Sequence, residues 1–218
     1  VDGIRMNNNM NMQQMGLEGQ SSLFNSSILS GFDIRSLSPA SIESVEVIRG
    51  VPSARYGDAT SGVVLVNSKA GLQPYTVGLR FTATEKLASI SKGMAIGNHG
   101  GILHLGVDYA LSAQDPRIPE QAFQRLGIQI AHSKDFPTAS LRFNLRGYWI
   151  RDKGGYGRNS VDGEFQKAFN RGFLFSANGQ WNLNKSWISN LEYRAGVTYG
   201  YQKNESNTYY SGTQQVTT

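Results

Sequence analysis

The segment 44-SVEVIRGVPSARYGDATSGVVLVNSKAG-71 decides the fold of this chain. Alternating valines between Ser44 and Arg49 predict a strand that ends at Gly50. The apolar run from Val63 to Val66, opened by Gly62, predicts a second strand that is buried on both faces. The segment therefore predicts a unit of strand, tight connection and strand.

The connection between these two strands carries signals for one turn of helix, from Ser53 to Tyr56. Pro52 suits a first helical position because its φ is already helical and its missing N–H is not needed there. Gly57 suits a helix C-terminus because glycine takes positive φ without strain. Upstream, Ser38 and Pro39 predict an N-cap and first residue of another short helix.

These residues resemble a known family. The pattern VEV-x-RG-P-SA-x-YG, followed by GVV-x-V and K-x-G, is similar to the end of the plug domain of TonB-dependent outer-membrane receptors. Val1-Asp2-Gly3-Ile4 resembles a strand of that plug, and Ser38 to Glu43 resembles the short helix before its VEV strand. The resemblance covers Val1 to Gly71 and implies the C-terminal part of a plug domain (α+β), with residues 72-218 as a second domain.

A subgroup of this family is also similar to the chain. The opening VDGIRMNN and the GVV segment ending in Lys69-Ala70-Gly71 resemble the SusC-like importers of glycans and peptides. The usual ending in that subgroup is closer to TTKKG, so the match to it is imperfect.

Composition excludes several classes of protein. The 218 residues carry a net charge of +5, no cysteine and 25 glycines. No apolar run approaches the ~18 residues of a membrane helix, and the absence of cysteine excludes disulfides and thiolate metal sites. Lysine and arginine are scattered rather than clustered, which argues against a nucleic-acid partner.

From Tyr75 onwards apolar and polar residues alternate, which predicts about seven long strands, each with one apolar face. Strands of ~10 residues suit a tilted membrane crossing. The charged residues of these strands fall on the polar face, as in the wall of a transmembrane antiparallel β-barrel, where charge facing lipid costs roughly 2–4 kcal/mol. The predicted lumen-facing residues are Arg80, Asp108, Arg142, Arg146, Glu192 and Arg194, and the predicted aromatic girdle comprises Trp149, Trp181 and Tyr199.

The predicted connections are short at 98-101, 133-138 and 182-186 and long at 112-122 and 151-169, as between periplasmic turns and extracellular loops. Seven strands cannot close a bacterial barrel, and open edges are not tolerated in lipid. We therefore expect this chain to be an internal piece of a longer polypeptide that supplies the remaining strands. The resemblance implies a barrel of ~22 strands.

Two sets of residues are candidates for function. The polar stretch after Ile4 is either a solvated loop or a ligand-facing loop of the plug, with Asn8, Asn9, Asn11, Met12 and Gln13 as its contacts. Arg49 and Arg55 are either surface arginines or residues that lock the plug to the barrel. The resemblance implies that the arginine of VEV-x-RG, Arg49, pairs with barrel glutamates beyond Thr218.

We find no catalytic, metal or cofactor motif. His99, His104 and His132 lack metal-ligand spacing, and neither Gly-x-Ser-x-Gly nor a phosphate-binding glycine loop is present. We therefore predict that the protein is not an enzyme.

The resemblance implies a function and partners. The protein would sit in the bacterial outer membrane with its plug inside the barrel, bind a nutrient and import it by TonB-driven movement of the plug. Its partners would be the TonB complex, outer-membrane lipid and, if SusC-like, a SusD-like surface lipoprotein. The alternatives are a siderophore or cobalamin receptor with the same fold, or a soluble β-sandwich adhesin or carbohydrate-binding module, which would expose Thr, Lys and Glu on its outer face.

Overall fold

The structure is a computed structural model that describes residues 1-4, 34-50, 62-113, 115, 117, 121-155, 163-210 and 213-217. The described residues are mostly β and form two antiparallel sheets. No helix within these ranges has the length and apolar character needed to cross a membrane. The predicted turn of helix at 53-56, with Pro52, Arg55 and Gly57, lies outside the described residues, as do the candidate loop residues from Asn8 to Gln13.

The smaller sheet is a hairpin of β1 (Ile42–Arg49) and β2 (Gly62–Ser68). It confirms the predicted pair of strands flanking Gly50. The expectation that β2 is buried on both faces is wrong: Val64 is 59% exposed, beside Val45 and Val47 of β1. A two-stranded sheet has only one face against the larger sheet, and no described residue covers the other.

The first four residues form a turn, which corrects the strand expected for them. Asp2 and Gly3 have φ of 49° and 79°, and the N–H of Ile4 donates to the carbonyl of Val1 at 2.9 Å. Aspartate and glycine are among the residues that enter this left-handed region most readily. The N–H of Asp2 donates to the carbonyl of Val66 at 2.8 Å, so the turn is fastened to β2.

Two short 3-10 helices, Ile34–Ser36 and Pro39–Ser41, precede β1. Ser38 is the N-cap of the second helix, and its hydroxyl accepts from the N–H of Ala40 at 3.3 Å. The start signal of Ser38 and Pro39 is confirmed, although the helix is a single 3-10 turn because β1 begins at Ile42.

The larger sheet is a meander of eight strands in sequence order, from β3 at one edge to β10 at the other. It is not closed within the described residues. Its strands are β3 (Gln73–Phe81), β4 (Glu85–Ala95), β5 (Ile102–Ala113), β6 (Ala122–Asp135), β7 (Ala139–Gly155), β8 (Gly163–Asn182), β9 (Asn190–Tyr210) and β10 (Thr213–Thr217).

Strands β3 to β9 confirm the seven predicted strands, but several run further than expected. β7 continues to Gly155 and β8 begins at Gly163, so most of the predicted loop 151-169 is strand. Alternation marks a strand only where one face meets an apolar environment; beyond it both faces are polar, while backbone pairing continues.

The two faces of the large sheet have opposite chemistry. One face, here called the outward face, exposes large apolar side chains, among them Val77, Leu79, Val107, Ile128 and Leu145. The opposite, inward face is polar and lies beneath the hairpin, the 3-10 helices and the first turn. This is the reverse of a soluble sandwich, whose apolar faces are packed inside, and it is the arrangement of a barrel wall in lipid.

Candidate functional site: a polar seam between the two sheets

The candidate site is the contact between the inward face of the large sheet and the segments that cover it, here called the seam. The seam buries polar side chains from the middle of strands β5 to β8. These are His104, Asp108, Arg125, Gln129, Asn144, Arg146 and Ser176. Because buried polar groups require partners, their hydrogen bonds define how the covering segments are held.

Arg125 of β6 is the first centre of the seam. Its guanidinium donates to Asp108 of β5 at 2.9 Å, and the two side chains are only 6% and 7% exposed. The same group donates to the carbonyls of Arg35 at 3.0 Å and Leu37 at 3.3 Å. One buried arginine thus holds the 3-10 segment to the wall, with its charge balanced by Asp108.

A second contact holds the same 3-10 segment at a more exposed position. Arg35 donates to the carboxylate of Asp152 on β7 at 2.8 Å and stacks over the ring of Phe123. Both charged groups are partly exposed, so this pair contributes less than the buried one.

Asp2 is the second centre of the seam. Its carboxylate accepts from the N–H of Ser68 at 2.7 Å and from the amide of Asn144 on β7, also at 2.7 Å. Its carbonyl accepts from the amide of Asn178 on β8 at 3.3 Å. A single residue therefore joins the first turn, the end of β2 and two strands of the large sheet.

Arg146 lies between the two centres and binds the ends of the hairpin. Its guanidinium donates to the hydroxyl of Ser68 and to the carbonyl of Ser41, the latter at 3.4 Å. Nearby, the amide of Gln129 donates to the carbonyl of Lys69 at 3.0 Å. Strands β6 and β7 thus hold the open end of the hairpin through the hydroxyl of Ser68 and through the carbonyls of its two flanking residues, Ser41 and Lys69.

Several buried polar atoms in the seam have no protein partner among the described residues. They lie in two neighbouring rows of the inward face and are His104 Nδ1, Gln129 Oε1, Asn144 Oδ1, Arg146 Nε and Nη1, and Ser176 Oγ. Groups of this kind are ordinarily satisfied by ordered water. Within the described part of the chain, these six atoms therefore keep donor or acceptor capacity that a water molecule can use.

Glycines make room for the seam at two positions. A Cβ on Gly127 would overlap a carboxylate oxygen of Asp108, so this glycine leaves space for the Arg125–Asp108 pair. A Cβ on Gly93 would overlap the carbonyl of Gly71, where the chain passes from the hairpin to β3.

A cleft of about 500 Å³ opens between the hairpin and strands β7 to β9. Asp2, Asn144 and Asn178 form one part of its lining, and Arg142 and Arg194 form another. Arg194 also approaches Glu192 at 3.6 Å. The cleft also has apolar walls at Leu65, Ala70 and Phe143. It lies beside the Asp2 centre, so movement of the first turn would enlarge it.

The six residues expected on the polar face all lie on the inward side by strand register. Asp108 and Arg146 are buried in the seam, and Arg142 and Arg194 line the cleft. Arg80 lies 3.8 Å from Glu85 in an exposed pair away from the seam, and Glu192 pairs with Arg194.

The lock expected from Arg49 and Arg55 stays a prediction. Arg49 ends β1 opposite Gly62, where its side chain is exposed, and its expected glutamate partners lie beyond Thr218; Arg55 is outside the described residues. Within the described part of the chain, Arg125 holds the 3-10 segment to the large sheet and Arg146 holds Ser41 and Ser68 to it.

Sequence reasoning missed Asp2, Arg125 and Asn144 as contacts of the seam. Asp2 carried a signal, since it lies in the VDG motif. Arg125 and Asn144 were visible only as polar positions in alternating strands, and their partners depend on how the covering segments sit.

The aromatic residues fall at two levels of the outward face. Trp149 and Tyr199 line one groove, whereas Trp181 lies at the opposite end of β8, beside Leu191. Trp181 and Arg171, the partner of Trp149, are ten residues apart on β8, about 33 Å along a strand. At a tilt near 40° this is about 25 Å of height, the thickness of the apolar band of a barrel.

One charged pair outside the seam lies in the connection between β5 and β6. Arg117 donates to Asp115 at 2.8 Å between β5 and β6, and this bond holds the pKa of the Asp115 carboxyl below its ordinary value. Arg117 is exposed and Asp115 is partly exposed, so the pair adds little to stability. Across the described ranges, no group of three or more His, Cys, Asp or Glu could hold a metal ion.

An open antiparallel sheet that exposes apolar side chains on one face and binds a hairpin and two 3-10 turns on the other is consistent with part of the wall of a membrane β-barrel that holds an internal domain. Residues 1–64 match the family model TonB-dependent Receptor Plug Domain. This match supports a TonB-dependent receptor, a class of outer-membrane transporters rather than of enzymes. No curated protein and no solved structure matches the chain.

Proposed function

We propose that this chain is the end of the plug and the first strands of the barrel of a TonB-dependent transporter that imports a nutrient across the outer membrane. Residues 1-71 are the plug part and residues 72-218 the barrel part. The observation that carries the proposal is the seam, because a plug must be held by bonds that can later be exchanged.

The seam supports movement of the plug in two ways. Its bonds converge on a few residues, chiefly Asp2, Arg125 and Arg146, so releasing a few side chains frees the covering segments. The unpaired polar atoms beside them can take water in place of the plug. A dry apolar contact of the same size would resist separation, since apolar surface would be exposed to water.

The cleft supports a route for the solute. It lies between the hairpin and the wall, and its lining of amides, hydroxyls and two arginines offers donors to a polar solute. Solute would pass along the inward face of β7 to β9 once the first turn leaves Asn144 and Asn178. The cargo class that this lining suits is a polar one, a glycan or peptide, as in SusC-like importers with a lipoprotein partner.

The direct test is uptake by cells that express the full-length protein. The probes are a fluorescent oligosaccharide mixture, a fluorescent mixture of tryptic peptides, a ferric hydroxamate and cyanocobalamin. We expect uptake of an oligosaccharide or peptide that disappears in a strain without TonB. Uptake of the ferric hydroxamate or cyanocobalamin instead would favour the siderophore or cobalamin alternative.

A second readout does not depend on the cargo. The full-length protein should be found in the outer-membrane fraction of the cells. After extraction into detergent, its gel mobility should change on heating, as that of a closed barrel does. A soluble protein with unchanged mobility would overturn the proposal and favour the β-sandwich module.

A further inference from the structure

The carboxylate of Asp2 fills a pocket of three donors. It accepts from the N–H of Ser68 at 2.7 Å, from the hydroxyl of Ser68 at 2.5 Å and from the amide of Asn144 at 2.7 Å. Ser68 and Asn144 are only 7% and 8% exposed. Arg146 donates to the same Ser68 hydroxyl and so links its charge to the pocket. Buried donors that converge in this way form a site for an anionic group.

A row of further donors lies beside this pocket on the inward face. Strand register places Asn178 of β8 between Arg142 of β7 and Arg194 of β9, and all three residues line the cleft. Adjacent strands are ~4.8 Å apart, so the two long side chains can converge on one group. Arg142 makes no ion pair with the residues that the structure describes, and Arg194 makes a partly exposed one with Glu192 at 3.6 Å.

The first turn covers both sets of donors. A Cβ on Gly3 would lie 3.5 Å from the side chain of Arg194, so the turn rests on this arginine. The amide of Asn178 donates to the carbonyl of Asp2 at 3.3 Å. Withdrawal of the turn would therefore free the amides of Asn144 and Asn178 and uncover Arg194 in one movement.

Withdrawal of the turn would also leave the pocket short of negative charge. Asp2 and Asp108 are the two acids that act on Arg146. Asp108 is held by Arg125 in the other centre of the seam, whereas Asp2 would leave with the turn. Glu43 also lines the cleft, but it makes no ion pair among the described residues. An incoming anion would restore the balance that Asp2 provides in the closed state.

We propose that the cargo carries a carboxylate that replaces Asp2 on Ser68 and Asn144 and is held by the arginines of the cleft, so that Asp2 is an internal competitor of the cargo. This inference rests on the proposed transport and narrows its polar cargo to an acidic one. The group is the carboxylate of an acidic sugar or of a peptide C-terminus. The pocket suits this group because it already binds one, and the planar fork of arginine matches a carboxylate.

The test is binding to the purified full-length protein in an uncharged detergent, measured by isothermal titration calorimetry. The probes are two matched pairs: trigalacturonic acid with its methyl ester, and acetyl-trialanine with its C-terminal amide. We expect the acid of one pair to bind about tenfold or more tightly than its neutral partner, because hydrogen bonds to a charged group are the stronger ones. The pair that shows this difference identifies the source of the carboxylate as a sugar or a peptide.

Variants separate competition from a structural role. Arg142→Gln should weaken binding of the acid about tenfold. Asp2→Asn should tighten it several-fold, because a neutral amide competes less well for the same donors, whereas loss of a merely structural contact would not tighten binding. The matched control is Arg80→Gln, an arginine of the inward face whose pair with Glu85 lies away from the cleft, and it should leave binding unchanged.

Three results would overturn the proposal. These are equal binding of each acid and its neutral partner, no binding of either acid, and unchanged or weaker binding of the acid by Asp2→Asn. Each variant must keep its heat-modifiable mobility, so that a folding defect is not taken for a change in binding. TonB-dependent uptake of a neutral oligosaccharide alongside any of these results would leave the proposed transport intact, whereas a soluble protein without a barrel would remove the transport itself.

Discussion

At the scale of single residues, the buried ion pair of Arg125 and Asp108 decides how firmly the 3-10 segment is held to the large sheet. A buried ion pair adds little when both partners are present, but removal of one partner leaves an uncompensated charge that costs about 3–5 kcal/mol. The Arg125 guanidinium also donates to two carbonyls of the covering segment, those of Arg35 and Leu37. Loss of Arg125 should therefore disturb both the wall and the segment it holds.

We predict that Arg125→Ala in the full-length protein loosens the plug. In liposome swelling, the variant should admit arabinose several times faster than the wild type, because the 3-10 segment loses its buried anchor. The double variant Arg125→Met with Asp108→Leu should leak less than Arg125→Ala, since no charge is then left unpaired. Arg49→Ala tests the lock implied by the resemblance, and unchanged swelling in that variant would count against it.

A separate prediction concerns Gly127, which pairs with Asp108 on the neighbouring strand. Gly127→Ala should lower the temperature at which gel mobility changes on heating, because its Cβ would meet the Asp108 carboxylate; overpacking of this kind costs about 1–3 kcal/mol. The control is Gly147→Ala on the outward face, where the added methyl meets no atom. Equal transition temperatures in the two variants would show that the clearance at Gly127 is unimportant.

At the scale of elements, alternation was enough to predict β3 to β9. It failed beyond the apolar band, as at 151-155, because both faces there are polar and the sequence carries no period of two. The pattern also could not identify the contacts of the seam. Which plug carbonyl Arg125 meets depends on the placement of one element upon another, and no local pattern encodes that.

Residues 69-72, here called the passage, connect the hairpin to β3 and so join the two sheets along the chain. The passage crosses β4 at Gly93, and a Cβ there would overlap the carbonyl of Gly71. We predict that Gly93→Ala displaces this passage and speeds tryptic cleavage after Lys69 several-fold, as followed by the appearance of the fragment over time.

The control for this prediction is Gly106→Ala, a glycine of the same inward face. Its added methyl would make ordinary contacts of 3.6 and 3.8 Å with Ser91 and Gln129. Cleavage should stay at the wild-type rate in this variant. If both variants are cut equally fast, the close approach at Gly93 does not hold the passage in place.

At the scale of the whole molecule, the two faces of the large sheet suit two different environments. The outward face is apolar in its middle rows and basic beyond Trp149 and Tyr199, which suits a lipid environment. The inward face is polar and contacts the hairpin, the 3-10 segment and the first turn. A soluble protein would bury the apolar face instead, because an exposed apolar band flanked by aromatic side chains is favourable in lipid.

If transport requires the first turn to leave the wall, a bond between them should stop it. Ile4 and Gly196 offer the position, because a Cβ on Gly196 of β9 would touch the side chain of Ile4, and this chain contains no cysteine to compete. We predict that the Ile4→Cys, Gly196→Cys variant forms a disulfide on mild oxidation and then loses uptake of the transported probe, while reduction restores uptake. Each single variant should transport under both conditions, which controls for oxidation and for the altered contact. The disulfide fixes only one end of the plug. Full uptake with the disulfide demonstrably formed would therefore show that solute passes without release of the Asp2 centre. The route would then lie on the side of Arg125.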